Sequence, residues 1–146
     1  MVTFVQGDVL ESKANLIAHG CNCKGGFGSG VAGAIRTKYP KARHYYLDKF
    51  EEDGWKLGEV QFVKQWDDRW IANCATQDDF LPRGTVHVDY DAVRTSMSKV
   101  KQFAMDSSLS VAIPKIGAGL AGGDWSKIES ILNEVFNDYD VTVYYL

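Results

Sequence analysis

The chain has 146 residues and a mass of 16.3 kDa, the usual size of a single domain. Hydrophobic residues make up 45% and charged residues 24% of it, and this composition excludes a disordered tail, a collagen and a disulfide mini-protein. With 16 basic and 19 acidic residues the net charge is −3, so we expect no direct nucleic-acid binding. No apolar run approaches the roughly 20 residues of a membrane span, and no secretory signal is visible. We therefore expect a cytoplasmic monomer with no membrane contact.

Strands and helices alternate along the chain. Apolar runs and helical spacing predict, in chain order, strands at Val2–Gln6 and Asn15–His19, helices at Val31–Lys38 and Ala42–Glu52, strands at Glu59–Lys64 and Trp70–Ala75, a helix at Tyr90–Met105, a strand at Ser110–Ile113, a helix at Trp125–Asn137 and a strand at Val141–Tyr145. Residues 77–88 are predicted to form a loop. The alternation predicts an α/β fold with a mixed or mostly parallel sheet flanked by helices, in one domain of residues 1–146.

Two apolar strands each run into a glycine-rich loop and then a helix. The first loop is Gly25–Gly30, after Leu16–His19, and the second is Gly117–Gly123, after Val111–Ile113. Ligands bind at the carboxyl ends of strands in open α/β sheets. Backbone N–H groups at a helix N-terminus can hold phosphate in an acidic protein. The two loops therefore predict a clamp for one pyrophosphate.

The first loop contains Gly28-Ser-Gly30-Val-Ala-Gly33, which matches the dinucleotide pattern G-x-G-x-x-G. Its context differs from that pattern, because the preceding strand ends too early and the next segment is predicted to be helical. The sequence favours a phosphate cradle of another design. Glycines that serve only turns and packing are the alternative.

His19, Cys21 and Cys23 have the spacing of part of a metal site. Tetrahedral zinc usually needs wider spacing and about four ligands, so we expect no metal and interpret the cysteines as small buried residues. Cysteine–histidine nucleophilic chemistry is an alternative, although nothing indicates a lowered thiol pKa. Asp8, directly after the first strand, is by itself typical of a turn or cap.

Four segments together resemble the macro domain family, whose members bind ADP-ribose. They are Gly7-Asp8-Val9, His19-Gly-Cys-Asn22, Gly26-Phe-Gly28-Ser-Gly30-Val31 and Pro114-Lys-Ile-Gly117-Ala-Gly119-Leu120-Ala-Gly122. The resemblance spans nearly the whole chain and implies a three-layer fold with a central mixed sheet. It is strongest to a compact branch that includes ADP-ribose 1″-phosphate phosphatases and ADP-ribose glycohydrolases.

The resemblance also implies roles for particular residues. Asp8 would accept from the adenine amine beside the Val9 backbone, and Asn22 would hold the distal ribose. The pyrophosphate would receive N–H groups from two sets of residues, which are Gly28, Ser29, Gly30 and Val31 in the first loop and Gly117, Ala118, Gly119, Leu120, Ala121 and Gly122 in the second. No cofactor is implied.

Three positions depart from the hydrolases of the family. Ala32 stands where one class carries an acidic residue, while Gln77 and Ala121 replace the lysine and aspartate of the glycohydrolase branch. Glutamine cannot form a Schiff base. His19 is the polar group that these replacements leave near the distal ribose.

We therefore predict a phosphatase acting on ADP-ribose 1″-phosphate, with His19 and Asn22 as catalytic residues. His19 would act as acid, base or nucleophile. One alternative is a non-catalytic module that binds ADP-ribose or ADP-ribosylated macromolecules. Another is a hydrolase of a different ADP-ribose linkage, using water activated by the substrate or by Asp124. Three further carboxylates could reach the cleft, namely Asp78, Asp79 and Asp89.

Overall fold

A computed structural model describes residues 1–27, 30–79, 87–115 and 123–146. The strands of these ranges are β1 (Val2–Gln6), β2 (Leu16–Asn22), β3 (Val60–Lys64), β4 (Trp70–Gln77), β5 (Val111–Pro114) and β6 (Val141–Tyr145). The α-helices are α1 (Gly30–Lys38), α2 (Pro40–Glu52), α3 (Tyr90–Ser107) and α4 (Trp125–Val135).

The six strands form one sheet in the order β1-β6-β5-β2-β4-β3. Every neighbouring pair is parallel except β3 with β4, which is antiparallel. The predicted α/β fold with a mixed sheet is therefore confirmed. Because β2 and β5 are parallel neighbours, the two strands that precede the glycine-rich segments end at the same edge of the sheet.

The prediction that the second strand ends at His19 is wrong, because β2 continues to Asn22. The extra residues pair with β4, with Gly20 opposite Cys74 and Asn22 opposite Gln77. Gly20 is accommodated inside the strand rather than ending it. His19 consequently lies within β2, in register with Asn73 of β4, and not at the strand end.

Side-chain caps fix the start of several elements. Asp89 accepts from Ala92 N at 2.8 Å at the start of α3, and Asp124 accepts from Ser126 N at 3.0 Å at the start of α4. Asp124 is therefore the N-cap of α4. Pro40 opens α2, where its missing N–H is not needed.

Each face of the sheet carries a separate apolar layer. One layer lies under α3 and α4 and includes Met97 and Leu132. The other lies under α1 and α2 and includes Ile17, Ile35 and Tyr46. Within the described ranges, no helix combines the length and the apolar character that crossing a membrane requires.

Candidate functional site

A cavity of about 440 Å³ opens at the carboxyl ends of β1, β5 and β6, against the first turn of α1. It is the kind of cleft that open α/β sheets offer to ligands. Its walls bring together four residues that the sequence predicts as ligand-binding, namely Asp8, Val9, Gly30 and Val31. Pro114, Lys115 and Tyr144 also line the cavity.

Asp8 forms one wall of the cavity through a short 3-10 helix, Val9–Glu11, that the sequence did not predict. Asp8 Oδ1 accepts from Leu10 N at 2.9 Å, so the carboxylate caps this helix. Asp8 is exposed, whereas Val9 is 4% exposed and anchors the turn in the core. A single Oδ1 contact leaves the carboxylate with acceptor capacity for a ligand donor.

The opposite wall is the N-terminus of α1. Gly30 is its first residue and adopts a φ of +59°, which favours glycine, and Val31 follows it. N–H groups in a first helical turn lack intrahelical partners and face any ligand at this end. The predicted ligand-binding residues Gly28, Ser29, Gly117, Ala118, Gly119, Leu120, Ala121 and Gly122 lie outside the described residues.

His19 lies in the core, 1% exposed, on the side of the sheet that faces α1 and α2. Its Nε2 is 2.6 Å from Asn73 Oδ1, and its ring packs edge to face against Phe27 at 5.3 Å between centroids. In the described part of the chain, His19 is not among the residues that line the 440 Å³ cavity.

Neighbouring hydrogen bonds determine where the imidazole proton sits. Asn73 Nδ2 donates to Ala42 O and to Gln61 Oε1, both at 3.0 Å. Its Oδ1 must then accept, so His19 Nε2 carries the proton and Nδ1 keeps a lone pair. Burial lowers the pKa of His19 to about 4, and the bond to Asn73 offsets only part of this effect. The imidazole is neutral at pH 7.

Asn22 ends β2 and organises the residues that follow it. Its Oδ1 accepts from Lys24 N at 2.9 Å and Gly26 N at 3.0 Å, and its Nδ2 donates to Gly26 O at 2.7 Å. The amide is 6% exposed. These contacts occupy the oxygen and one of the two Nδ2 hydrogens. Asn22 could therefore contact a ligand only by donating its remaining Nδ2 hydrogen to it.

The three cysteines are free and buried, as the sequence predicts. Burial raises the pKa of Cys21 and Cys74, and it raises the pKa of Cys23 to about 11. Each thiol stays protonated at neutral pH, which disfavours the nucleophilic alternative. Within the described ranges, no group of three or more His, Cys, Asp or Glu side chains is arranged to hold a metal ion.

The other candidate carboxylates have structural partners. Asp78 pairs with Lys24 at 3.9 Å, Asp89 caps α3, and the Asp79 carbonyl accepts from Gln77 Nε2 at 3.0 Å. Asp124 accepts from both Ser126 Oγ and Ser126 N, and these bonds lower its pKa.

Tyr46 contacts the predicted site residue Asn22, but the sequence did not predict Tyr46 itself as part of the site. It lies in α2, is fully buried, and its hydroxyl contacts Asn22 and Gly25. Asn73 was missed as well. The contact between Tyr46 and Asn22 spans 24 residues, so no local sequence pattern could have revealed it.

The chain resembles known proteins of one family in both sequence and structure. The family model of the Macro domain matches residues 18–132. The chain is 27% identical to the ADP-ribose 1″-phosphate phosphatase of Candida albicans, covering 99% of each, and 26% identical to a DNA ADP-ribosyl glycohydrolase of Mycobacterium bovis, of which it covers 42%. A Bacteroides thetaiotaomicron protein of unknown function superposes with a TM-score of 0.90 at 33% identity, covering 100% of this chain and 98% of that one. A Streptomyces coelicolor macrodomain gives 0.82 at 32%, covering 99% and 98%.

The fold is thus an α/β sheet with a cleft between a strand-end carboxylate and a helix N-terminus. The chain belongs to the macro domain family.

Proposed function

We propose that this protein binds ADP-ribose and hydrolyses ADP-ribose 1″-phosphate to ADP-ribose and phosphate. The observation that carries the proposal is the 440 Å³ cavity shared by Asp8, Val9, Gly30 and Val31. It occurs in a macro domain that aligns over 99% of the length of a relative named for this activity. We extend the proposal to residues 1–146 acting as one domain, as a cytoplasmic monomer.

Each wall of the cavity suits one part of the ligand. The Asp8 carboxylate is an acceptor for the adenine amine, beside the Val9 backbone. The first turn of α1, at Gly30 and Val31, supplies N–H groups and a positive dipole end for the pyrophosphate. Backbone N–H groups would thus bind the pyrophosphate anion, so binding needs no net positive charge and is consistent with the chain's net charge of −3.

We propose Asn22 and His19 for the distal end of the ligand. Asn22 would donate its second Nδ2 hydrogen to the distal ribose or its phosphate. His19 would act as a neutral imidazole, which leaves it the roles of base, nucleophile or support for its neighbours. Positioning is sufficient for much of the rate in phosphoryl transfer.

A non-catalytic ADP-ribose-binding module is the second candidate. It is favoured by Ala32 and by Gln77, whose side-chain amide is bonded to the Asp79 carbonyl. Hydrolysis of another ADP-ribose linkage is the third candidate, and the named activity of the Mycobacterium bovis relative supports it.

A phosphorus NMR time course with ADP-ribose 1″-phosphate tests all three. We expect the pyrophosphate resonances to shift on binding and free phosphate to accumulate with catalytic turnover. Shifted resonances without phosphate release would support the binding module or the third candidate. Unperturbed resonances at high protein concentration would contradict binding itself.

The variant Asp8→Ala removes the proposed acceptor for the adenine amine, which lies far from the phosphate that is hydrolysed. This variant should weaken ADP-ribose binding about tenfold or more.

A further inference from the structure

Residues 22–25, at the end of β2 and just after it, are held in place by a buried tyrosine. Tyr46 Oη lies 2.7 Å from Asn22 O and 3.0 Å from Asn22 Oδ1, and it accepts from Gly25 N at 3.2 Å. Its single proton serves the two Asn22 acceptors. The hydroxyl therefore joins the end of β2 to the glycine-rich segment that follows.

Ring contacts fix the position of this hydroxyl. Tyr46 packs against Phe27 at 5.1 Å and stacks on Trp55 at 5.2 Å between centroids, and Trp55 Nε1 donates to Tyr46 O at 3.0 Å. Burial raises the pKa of Tyr46, so the hydroxyl stays protonated and able to donate. The aromatic contacts make the tyrosine a rigid support rather than a mobile side chain.

We propose that Tyr46 is a positioning residue for ligand binding, acting through Asn22 and the Gly25 N–H on the segment that carries the pyrophosphate and the distal ribose. The inference rests on the proposed function. It goes beyond the site residues because Tyr46 is not among the described residues that line the cavity at Asp8 and Val9. Its effect should therefore be confined to one end of the ligand.

The test is Tyr46→Phe, which keeps the ring contacts and removes the hydroxyl. Tyr45→Phe is the matched control, because Tyr45 precedes it in α2 and is 47% exposed. Calorimetric titration should give a higher ADP-ribose Kd for Tyr46→Phe, by up to about tenfold, which corresponds to the free energy of one buried hydrogen bond. Adenosine affinity, measured by ligand-observed NMR, should stay unchanged in both variants, and Tyr45→Phe should bind ADP-ribose like the wild type.

Two results would overturn the inference: unchanged ADP-ribose affinity in Tyr46→Phe, or an equal loss for adenosine, which would indicate general damage to the fold. A wild-type chain that does not bind ADP-ribose would instead overturn the proposed function. Even in that case, amide hydrogen exchange tests whether Tyr46 holds the backbone at Gly25 in place. The Gly25 amide should exchange faster in Tyr46→Phe than in Tyr45→Phe, and equal rates would contradict the inference.

Discussion

At the scale of single residues, the burial and the hydrogen bonds of His19 restrict the roles that its imidazole can take in a reaction. The neutral ring donates through Nε2 to Asn73 and lies against Phe27, so Nδ1, which the Cys21 thiol approaches at 3.8 Å, is its basic atom. The general-acid role considered from the sequence would need the protonated ring, and a pKa of about 4 makes that form scarce at pH 7. Base or nucleophilic catalysis through Nδ1 and positioning of Phe27 remain as distinct roles with different consequences for substitution.

Replacing His19 with glutamine separates these two roles. Glutamine can donate to Asn73 Oδ1 but has no basic ring nitrogen, so we expect a loss of turnover of about a hundredfold, typical of a missing general base. ADP-ribose affinity should stay within about threefold of the wild type, because the substitution leaves the cavity walls unchanged. Phosphate release and calorimetric titration measure the two quantities. Full turnover in His19→Gln but not in His19→Ala would assign His19 to positioning alone, and full turnover in both would remove it from the mechanism.

At the level of elements, the turn after β2 depends on one glycine. Gly25 has a φ of +83°, and a Cβ added there would meet the Phe50 ring at 2.9 Å. Gly54 has a similar φ of +76° but nothing within 4 Å of an added Cβ. The two positions therefore separate the cost of the left-handed conformation, about 1–2 kcal/mol, from the cost of the clash.

We expect Gly25→Ala to lower the free energy of unfolding more than Gly54→Ala does, and to weaken ADP-ribose binding. Gly54→Ala should keep wild-type affinity, because it lies beyond the end of α2. Urea unfolding and calorimetric titration give both values. Adding Phe50→Ala to Gly25→Ala should recover part of the lost affinity by removing the clash. No recovery would show that the backbone conformation, rather than the ring, causes the effect.

Local patterns predicted most elements because their causes are local. β1 and β6 have the predicted bounds, since β-branched and aromatic runs form each of them. The end of β2 was missed because its last residues are held by pairing with β4, more than 50 residues away. The 3-10 helix after Asp8 is too short to leave a periodic signal. The positions of Asn73 and Tyr46 depend on packing between α2 and the sheet, which no sequence window contains.

For the whole molecule, burial of His19 makes stability depend on pH. The native pKa is about 4 and the ordinary value is 6.5. Between these values the unfolded chain binds a proton that the native chain does not, so acid favours unfolding. Stability is fully present above about pH 6.5 and falls as the pH drops toward about 4, by about 3 kcal/mol in total. This loss is a large fraction of the 5–15 kcal/mol typical of a domain, about a fifth or more.

His19→Gln should remove this dependence, because glutamine does not titrate. Urea unfolding of both chains at about pH 7.5 and about pH 4.5 isolates the effect, since carboxylates that titrate in the same range contribute equally to each chain and cancel in the difference. The wild type should lose about 2–3 kcal/mol more than the variant over this interval. Equal losses would mean that the native imidazole accepts a proton without penalty. His19 would then be accessible to solvent, and the general-acid role that its low pKa excludes would be restored.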